Sequence, residues 1–127
     1  MKGDDYQDSG KVGELVAADY LIAKGYEILE KNYRNKWGEI DIVADKNKKY
    51  YFCEVKTVVC EDEKEVFTKR PEERVTFSKV KKLQRIVRTY LFDSVGTEEV
   101  PFDFFVIAVA LVPRVKKAFI WIIRDVL

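Results

Sequence analysis

The strongest constraint on the fold is one unbroken apolar stretch, Phe104 to Val112, late in a chain of 127 residues. At about half the length a helix needs to cross a bilayer, it is too short for a membrane and has to be buried within the protein. With Phe102 and Asp103 before it, it reads as a strand, Phe102 to Val112. The chain opens on the polar run Met1-Lys2-Gly3-Asp4-Asp5, which lacks the pattern of a signal peptide. Two cysteines, Cys53 and Cys60, make no disulfide framework. A soluble, reduced, cytoplasmic protein with no membrane partner is the expectation. At 47% hydrophobic and 13% aromatic residues the chain can bury a sizeable core, and its length suits one domain over 1–127.

The rest of the chain falls into alternating periods. From about Gln7 to Lys24, Val12, Leu15, Ala18, Leu21 and Ile22 recur at three- and four-residue spacing, which predicts a helix with that face buried and Gly25 as its left-handed stop. Tyr26 to Tyr33, Glu39 to Ala44 and Tyr50 to Val59 read as strands, separated by Trp37-Gly38 and by the polar Asp45 to Lys49. Glu61 to Arg74 is almost wholly charged and reads as a loop or a frayed helix. A second helix is expected from about Ser78 to Phe92, its core stripe being Val80, Leu83, Val87 and Tyr90 or Leu91. Pro113-Arg114 then turns the chain into a last strand, Ala118 to Ile123. The order α-β-β-β-α-β-β predicts an α/β fold with a mixed sheet flanked by helices. The apolar Ala118–Ile123 run either closes the sheet or offers an edge to a second copy of the chain, making a homodimer. Trp37 and Trp121 read as packing residues, Cys53 as buried core and Cys60 as a strand-end thiol.

Absences narrow the chemistry. The chain has no histidine, which removes the usual general base, the Ser-His and Cys-His pairs and every His-containing zinc site. Any metal site must be built from oxygen ligands. With 23 basic against 22 acidic residues, a uniformly basic coat is excluded and any basic surface is local.

The hairpin of the second and third strands concentrates what remains. If Lys46 to Lys49 make its turn, Asp45 pairs with Tyr50, Asp41 falls opposite Glu54 and Glu39 opposite Lys56. Like charges directly opposed across antiparallel strands are destabilising; a divalent cation reverses the sign, because two carboxylates are hard ligands for Mg²⁺ or Mn²⁺. Lys56 projects from the same face as Glu54, where an ammonium can orient water or hold a phosphate oxygen. Glu14 shares the apolar stripe of the first helix and is a third acid for the same ion. The plain reading stands beside this one. Glu14 then favours the positive start of a helix, Asp41 and Glu54 are solvated, and Glu39 with Lys56 is an ordinary ion pair.

Gly38-Glu39-Ile40-Asp41 followed by Glu54-Val55-Lys56 resembles the Asp-then-Glu-x-Lys signature of the PD-(D/E)XK nuclease superfamily. More closely, the chain resembles the YraN-like family of small uncharacterised bacterial proteins. That likeness adds Gly13-Glu14, Ala17-Ala18, Tyr20-Leu21, Gly25-Tyr26, Asn32-Tyr33-Arg34, Val75, Lys79, Leu83 and Phe102-Asp103. The resemblance implies a restriction-endonuclease-like α-β-β-β-α-β core with an extra C-terminal strand. It also implies Asp41 and Glu54 as metal ligands, Lys56 as the catalytic lysine, Glu14 as a further acidic site residue and the Val55 carbonyl as another ligand. Relatives usually carry Arg where this chain has Val58 and Pro101.

From Arg74 to Phe92 no residue is acidic, while Lys79, Lys81, Lys82, Arg85 and Arg88 are basic. Lys81, Arg85 and Arg88 form a ridge away from the apolar stripe, and backbone phosphates are the natural partner of such a ridge. A solvated helix face is the plain reading, though such a face ordinarily mixes signs. Two functions follow as expectations: a Mg²⁺- or Mn²⁺-dependent nuclease acting on DNA or structured nucleic acid, or a non-cleaving nucleic-acid-binding module of nuclease ancestry within a repair or processing assembly.

Overall fold

The computed structural model describes the backbone of residues 8–69 and 77–124, and the side chains of all of these except 77–80. Helix α1 spans Ser9–Ala23. Strands β1 (Glu27–Asn35), β2 (Gly38–Lys46) and β3 (Lys49–Val59) follow, then helix α2 (Phe77–Tyr90) and strands β4 (Phe102–Val112) and β5 (Lys117–Ile123). The sheet order is β1-β2-β3-β4-β5. β3 and β4 run parallel, the other neighbours antiparallel, and α2 lies in the connection between the parallel pair, as such a pair requires. This is the mixed α/β sheet the patterning predicts, a restriction-endonuclease-like core with β5 added at one edge.

Every residue from Phe104 to Val112 is buried because β4 is covered on both faces. Phe105, Ile107, Val109 and Leu111 join Ala17, Ala18 and Leu21 of α1. Phe104 and Val106 join Leu83, Ile86, Val87 and Tyr90 of α2. Ala110 and Val112 meet Cys60 and Val66. A strand buried on both faces needs a continuous apolar run, which is why this segment does not alternate.

The remaining elements lie close to their expected bounds. α2 adds Ile86 to the expected stripe, whereas the Val80 side chain lies outside the described residues. Past Tyr90 the helix widens into a π turn, Leu91–Val95, and stops at left-handed Gly96 (φ 92°). Within the charged segment, Glu63–Phe67 is a 3₁₀ turn whose N-cap Asp62 accepts from the Glu65 N–H at 3.1 Å and whose Val66 is buried; residues 70–76 lie outside the described ones.

The buried face of α1 is a correction. Val12, Leu15 and Ile22 were expected inside, yet they are 42%, 57% and 55% exposed, while Gly13, Ala17, Ala18 and Leu21 are buried. The reason is distance. A Cβ at Gly13 would overlap Thr57 Oγ1 and lie 2.9 Å from both other Thr57 side-chain carbons, so α1 rests on β3 through its smallest residues. Gly13→Ala is therefore expected to destabilise the protein by about 1–2 kcal/mol in a urea melt, the overpacking cost exceeding the roughly 1 kcal/mol that alanine gains as a helix former. Thr57→Ala in the same chain should return part of that loss. A Gly13→Ala variant more stable than wild type would mean that α1 sits further from the sheet.

Candidate functional site

Asn47 and Lys48, both left-handed (φ 52° and 65°), form the two-residue turn that suits a twisted hairpin. They set Lys46 against Lys49 and Asp45 against Tyr50, the expected register. Regular pairing runs as far as Ile42 opposite Cys53. One more step would put Asp41 opposite Glu54, but there the strands part, and Asp41 Oδ2 accepts the backbone N–H of Val55 at 2.7 Å. β1 is irregular at the same level. Asn32, between Lys31 (paired with Ile42) and Tyr33 (paired with Ile40), has φ 52°, a conformation asparagine tolerates. Ile40 packs on the α2 side of the sheet and Ile42 on the α1 side, so the alternation breaks at Asp41. The Asp41 carboxylate consequently enters a hollow of about 260 Å³ on the α1 side, shared with Lys11, Glu14, Leu15, Lys31, Asn32 and Ile42.

Glu14 is half-buried at the margin of the α1 stripe, brought down to the sheet by the seating of its neighbour Gly13 on Thr57. With its amide oriented to donate, Asn32 Nδ2 bridges Glu14 Oε1 (3.2 Å) and Glu39 Oε1 (3.3 Å). Burial, followed by the charges of Glu14, Glu54 and Glu39, pushes the Asp41 carboxyl up to about 6, against the opposing pull of the Val55 hydrogen bond.

Cys53 and Val55 pack on the α1 side, so Glu54 and Lys56 project from the other face of β3. Lys56 Nζ lies 3.4 Å from Glu54 Oε1. Where the plain reading set Glu39 against Lys56, the structure pairs Glu39 with Arg34 at 2.8 Å. The geometry thus gathers Glu14 and Asp41 in one hollow on the α1 side and leaves the Glu54–Lys56 pair on the other face of β3, just past the point where β2 and β3 part. Among the described residues, no three Asp, Glu, His or Cys side chains converge on a point where one ion could sit. The donor chemistry of Glu14, Asp41, Glu54 and the Val55 carbonyl nonetheless suits a hard divalent cation, and a cation would relieve the like-charge field around Asp41.

Lys11 and Lys31 escaped the sequence reading, and Asn32 entered it only within the family likeness, with no role attached. Lys11 had a signal, since it precedes Glu14 by three residues and so shares its side of the helix; Lys31 had none. Lys81, Lys82, Arg85 and Arg88 are all exposed on α2, as the ridge predicts, while the Lys79 side chain lies outside the described residues. Cys53 and Cys60 are free and buried. Burial raises both thiols, so the strand-end Cys60 is a core residue and not a reactive one.

Fold and site together define an α/β protein of restriction-endonuclease-like architecture with a hollow of two carboxylates and two lysines where a hairpin opens. The chain belongs to the YraN-like family, the uncharacterised protein family UPF0102, whose sequence model matches residues 13–109. It is 42% identical over 100 residues to a UPF0102 protein of Thermodesulfovibrio yellowstonii, covering 79% of this chain and 83% of that one. A UPF0102 protein of Caldanaerobacter subterraneus is 42% identical over 94 residues (74% and 73%), and one of Clostridioides difficile 38% identical over 108 residues (85% and 90%). No helix among the described residues is long and apolar enough to cross a membrane.

Proposed function

We propose that the protein is a Mg²⁺- or Mn²⁺-dependent nuclease that hydrolyses phosphodiesters in DNA or structured nucleic acid. The observation that carries this reading is the Asp41 carboxylate, fixed by the Val55 N–H and charged against Glu14, Glu54 and Glu39. A carboxyl raised by burial and neighbouring charges within a hollow is the kind of group that marks a candidate functional site. Glu14, Asp41, Glu54 and the Val55 carbonyl would hold the ion. A bound divalent cation supplies polarisation of a phosphoryl oxygen and a more acidic water. Lys56, at 3.4 Å from Glu54, supplies positive charge where the phosphoryl group becomes more negative, or holds the attacking water. The decisive experiment incubates the purified chain with single-stranded, duplex, flap and four-way DNA in Mg²⁺ or Mn²⁺, with chelator as control. Nicked or shortened products that vanish with chelator support the reading.

The exposed α2 ridge is assigned the phosphate grip. Replacing Lys81, Arg85 and Arg88 together by alanine should weaken duplex binding and flatten its salt dependence by about 3 in the slope of log K against log salt, since each neutralised phosphate accounts for roughly 0.9. Unchanged affinity with an unchanged slope would remove α2 from the interface. A second reading, a nucleic-acid-binding module that no longer cleaves, is favoured by the absence of three converging ligands among the described residues. It expects salt-sensitive binding with no ion-dependent products.

A further inference from the structure

Away from the Asp41 hollow, the two-residue turn between β1 and β2 docks onto the side of α2. Gly38, at φ 144°, permits this: a Cβ there would lie 2.9 Å from Ile86 Cδ1. Asn35 fastens the turn, its Nδ2 donating to the Ile86 carbonyl at 3.4 Å and its Oδ1 accepting the Trp37 N–H at 2.9 Å. Between turn and helix lies a hollow of about 400 Å³ lined by Lys36, Trp37, Lys81, Lys82 and Arg85. Among the described residues, four cations and one indole make up that lining. The Arg85 guanidinium carbon lies 4.9 Å from the centre of the Trp37 ring and Lys36 Nζ 5.2 Å from it, so the indole gathers two of the four charges around itself. Trp37 packs against the α2-side core and is half-buried, so part of its ring stays open to the hollow.

We propose that this hollow binds one unpaired nucleotide of a nucleic acid, the base against Trp37 and the flanking phosphates on Lys36, Lys81, Lys82 and Arg85. The inference rests on the nucleic-acid reading of α2 and sharpens it to a substrate class, single strands or strands with unpaired bases. Three features support it. The volume falls within the range of about 300–1,000 Å³ usual for small-ligand clefts. An aromatic face set among cations is the combination by which proteins hold single strands without reading sequence. Bases inside a duplex are already stacked, so the indole adds nothing to duplex binding while the cations serve both forms.

Trp37 is its own reporter. The chain has two tryptophans, and Trp121→Phe leaves Trp37 as the sole emitter. Titrating this variant with a single-stranded oligothymidine, and separately with a blunt duplex of equal length, should give emission quenching that follows binding for the single strand and little change for the duplex. Trp37→Leu should weaken single-strand binding at least about fivefold, the lower end of what one base–aromatic stack contributes, and leave duplex binding within about twofold. Single-strand binding with unchanged Trp37 emission, or equal quenching by both forms, overturns the proposal while leaving a basic interface on α2 intact. Failure of the wild-type chain to bind either form in a salt-sensitive way overturns both. The emission experiment uses a chain with Trp37 in place, so it decides the matter even if Trp37→Leu does not fold.

Discussion

Lys56→Ala is expected to lower Mn²⁺-dependent cleavage by about 10²–10³-fold, the effect of deleting one group that stabilises charge developing in a transition state. The ammonium lies 3.4 Å from Glu54 Oε1, and both side chains are only 23% exposed. Little solvent is therefore at hand to replace its charge. Ion binding should survive, because removing a cation beside Glu54 strengthens the negative field that attracts the ion. Lys56→Met, which keeps the length of the side chain, should behave like the alanine variant and so separate charge from packing. Binding of nucleic acid should fall little, since the exposed cations of α2 remain. Cleavage at the wild-type rate in purified Lys56→Ala would place the activity elsewhere in the chain or in a contaminant.

The second large effect is thermal and requires no substrate. A divalent ion that binds only the folded state stabilises it by about 2.7 kcal/mol at a hundred times its Kd, on the order of 10 °C in Tm for a domain of this size. The gain should depend on pH through Asp41, whose carboxyl rises from an ordinary 3.8 to about 6 on folding. The sign is unusual for an aspartate. Between these values the folded chain keeps a proton that the unfolded chain has released, so stability without the ion falls as pH rises from about 4 to about 6 and then levels off. Because the group is partly exposed and screened, about 1–2 kcal/mol is the expected size of that fall. Mn²⁺ should thus raise Tm less at pH 5, where it must displace the proton, than at pH 7.5. Asp41→Asn keeps the shape and can still accept from the Val55 N–H. Above pH 6 in the presence of chelator, it should melt at or above the wild-type temperature and lose most of the Mn²⁺ response. If it instead melted lower and kept the full response, Asp41 would not be a ligand.

Much of the fold was legible because its signals are local. Left-handed positions were needed at Asn47 and Lys48, and a polar stretch of the right length between two alternating runs was enough to place the hairpin register. The unbroken Phe104–Val112 run marked a strand, and the single-sign charge on α2 declared which of its faces meets water. Glu14, Asp41, Glu54 and Lys56 were singled out by residue type and spacing, and of these the structure places Glu14 and Asp41 in one hollow.

What periodicity could not reach were distances between elements. It counts apolar residues and so turned Val12, Leu15 and Ile22 of α1 inward, whereas the helix seats on the sheet through Gly13, Ala17, Ala18 and Leu21, with Thr57 filling the space a side chain at position 13 would need. Strand alternation likewise put Asp41 straight across from Glu54. The left-handed Asn32 and the Asp41–Val55 hydrogen bond divert it into the α1 hollow instead. Trp37 packs as expected, and the β1–β2 turn, meeting α2 some fifty residues later in the chain, also sets Arg85 over its ring. The sequence by itself determined the elements, their order and the hairpin register, since each depends on neighbours within a few residues. Which face of α1 turns inward, where Asp41 points and what surrounds Trp37 were decided only in the tertiary structure, where side chains far apart in sequence compete for the same space.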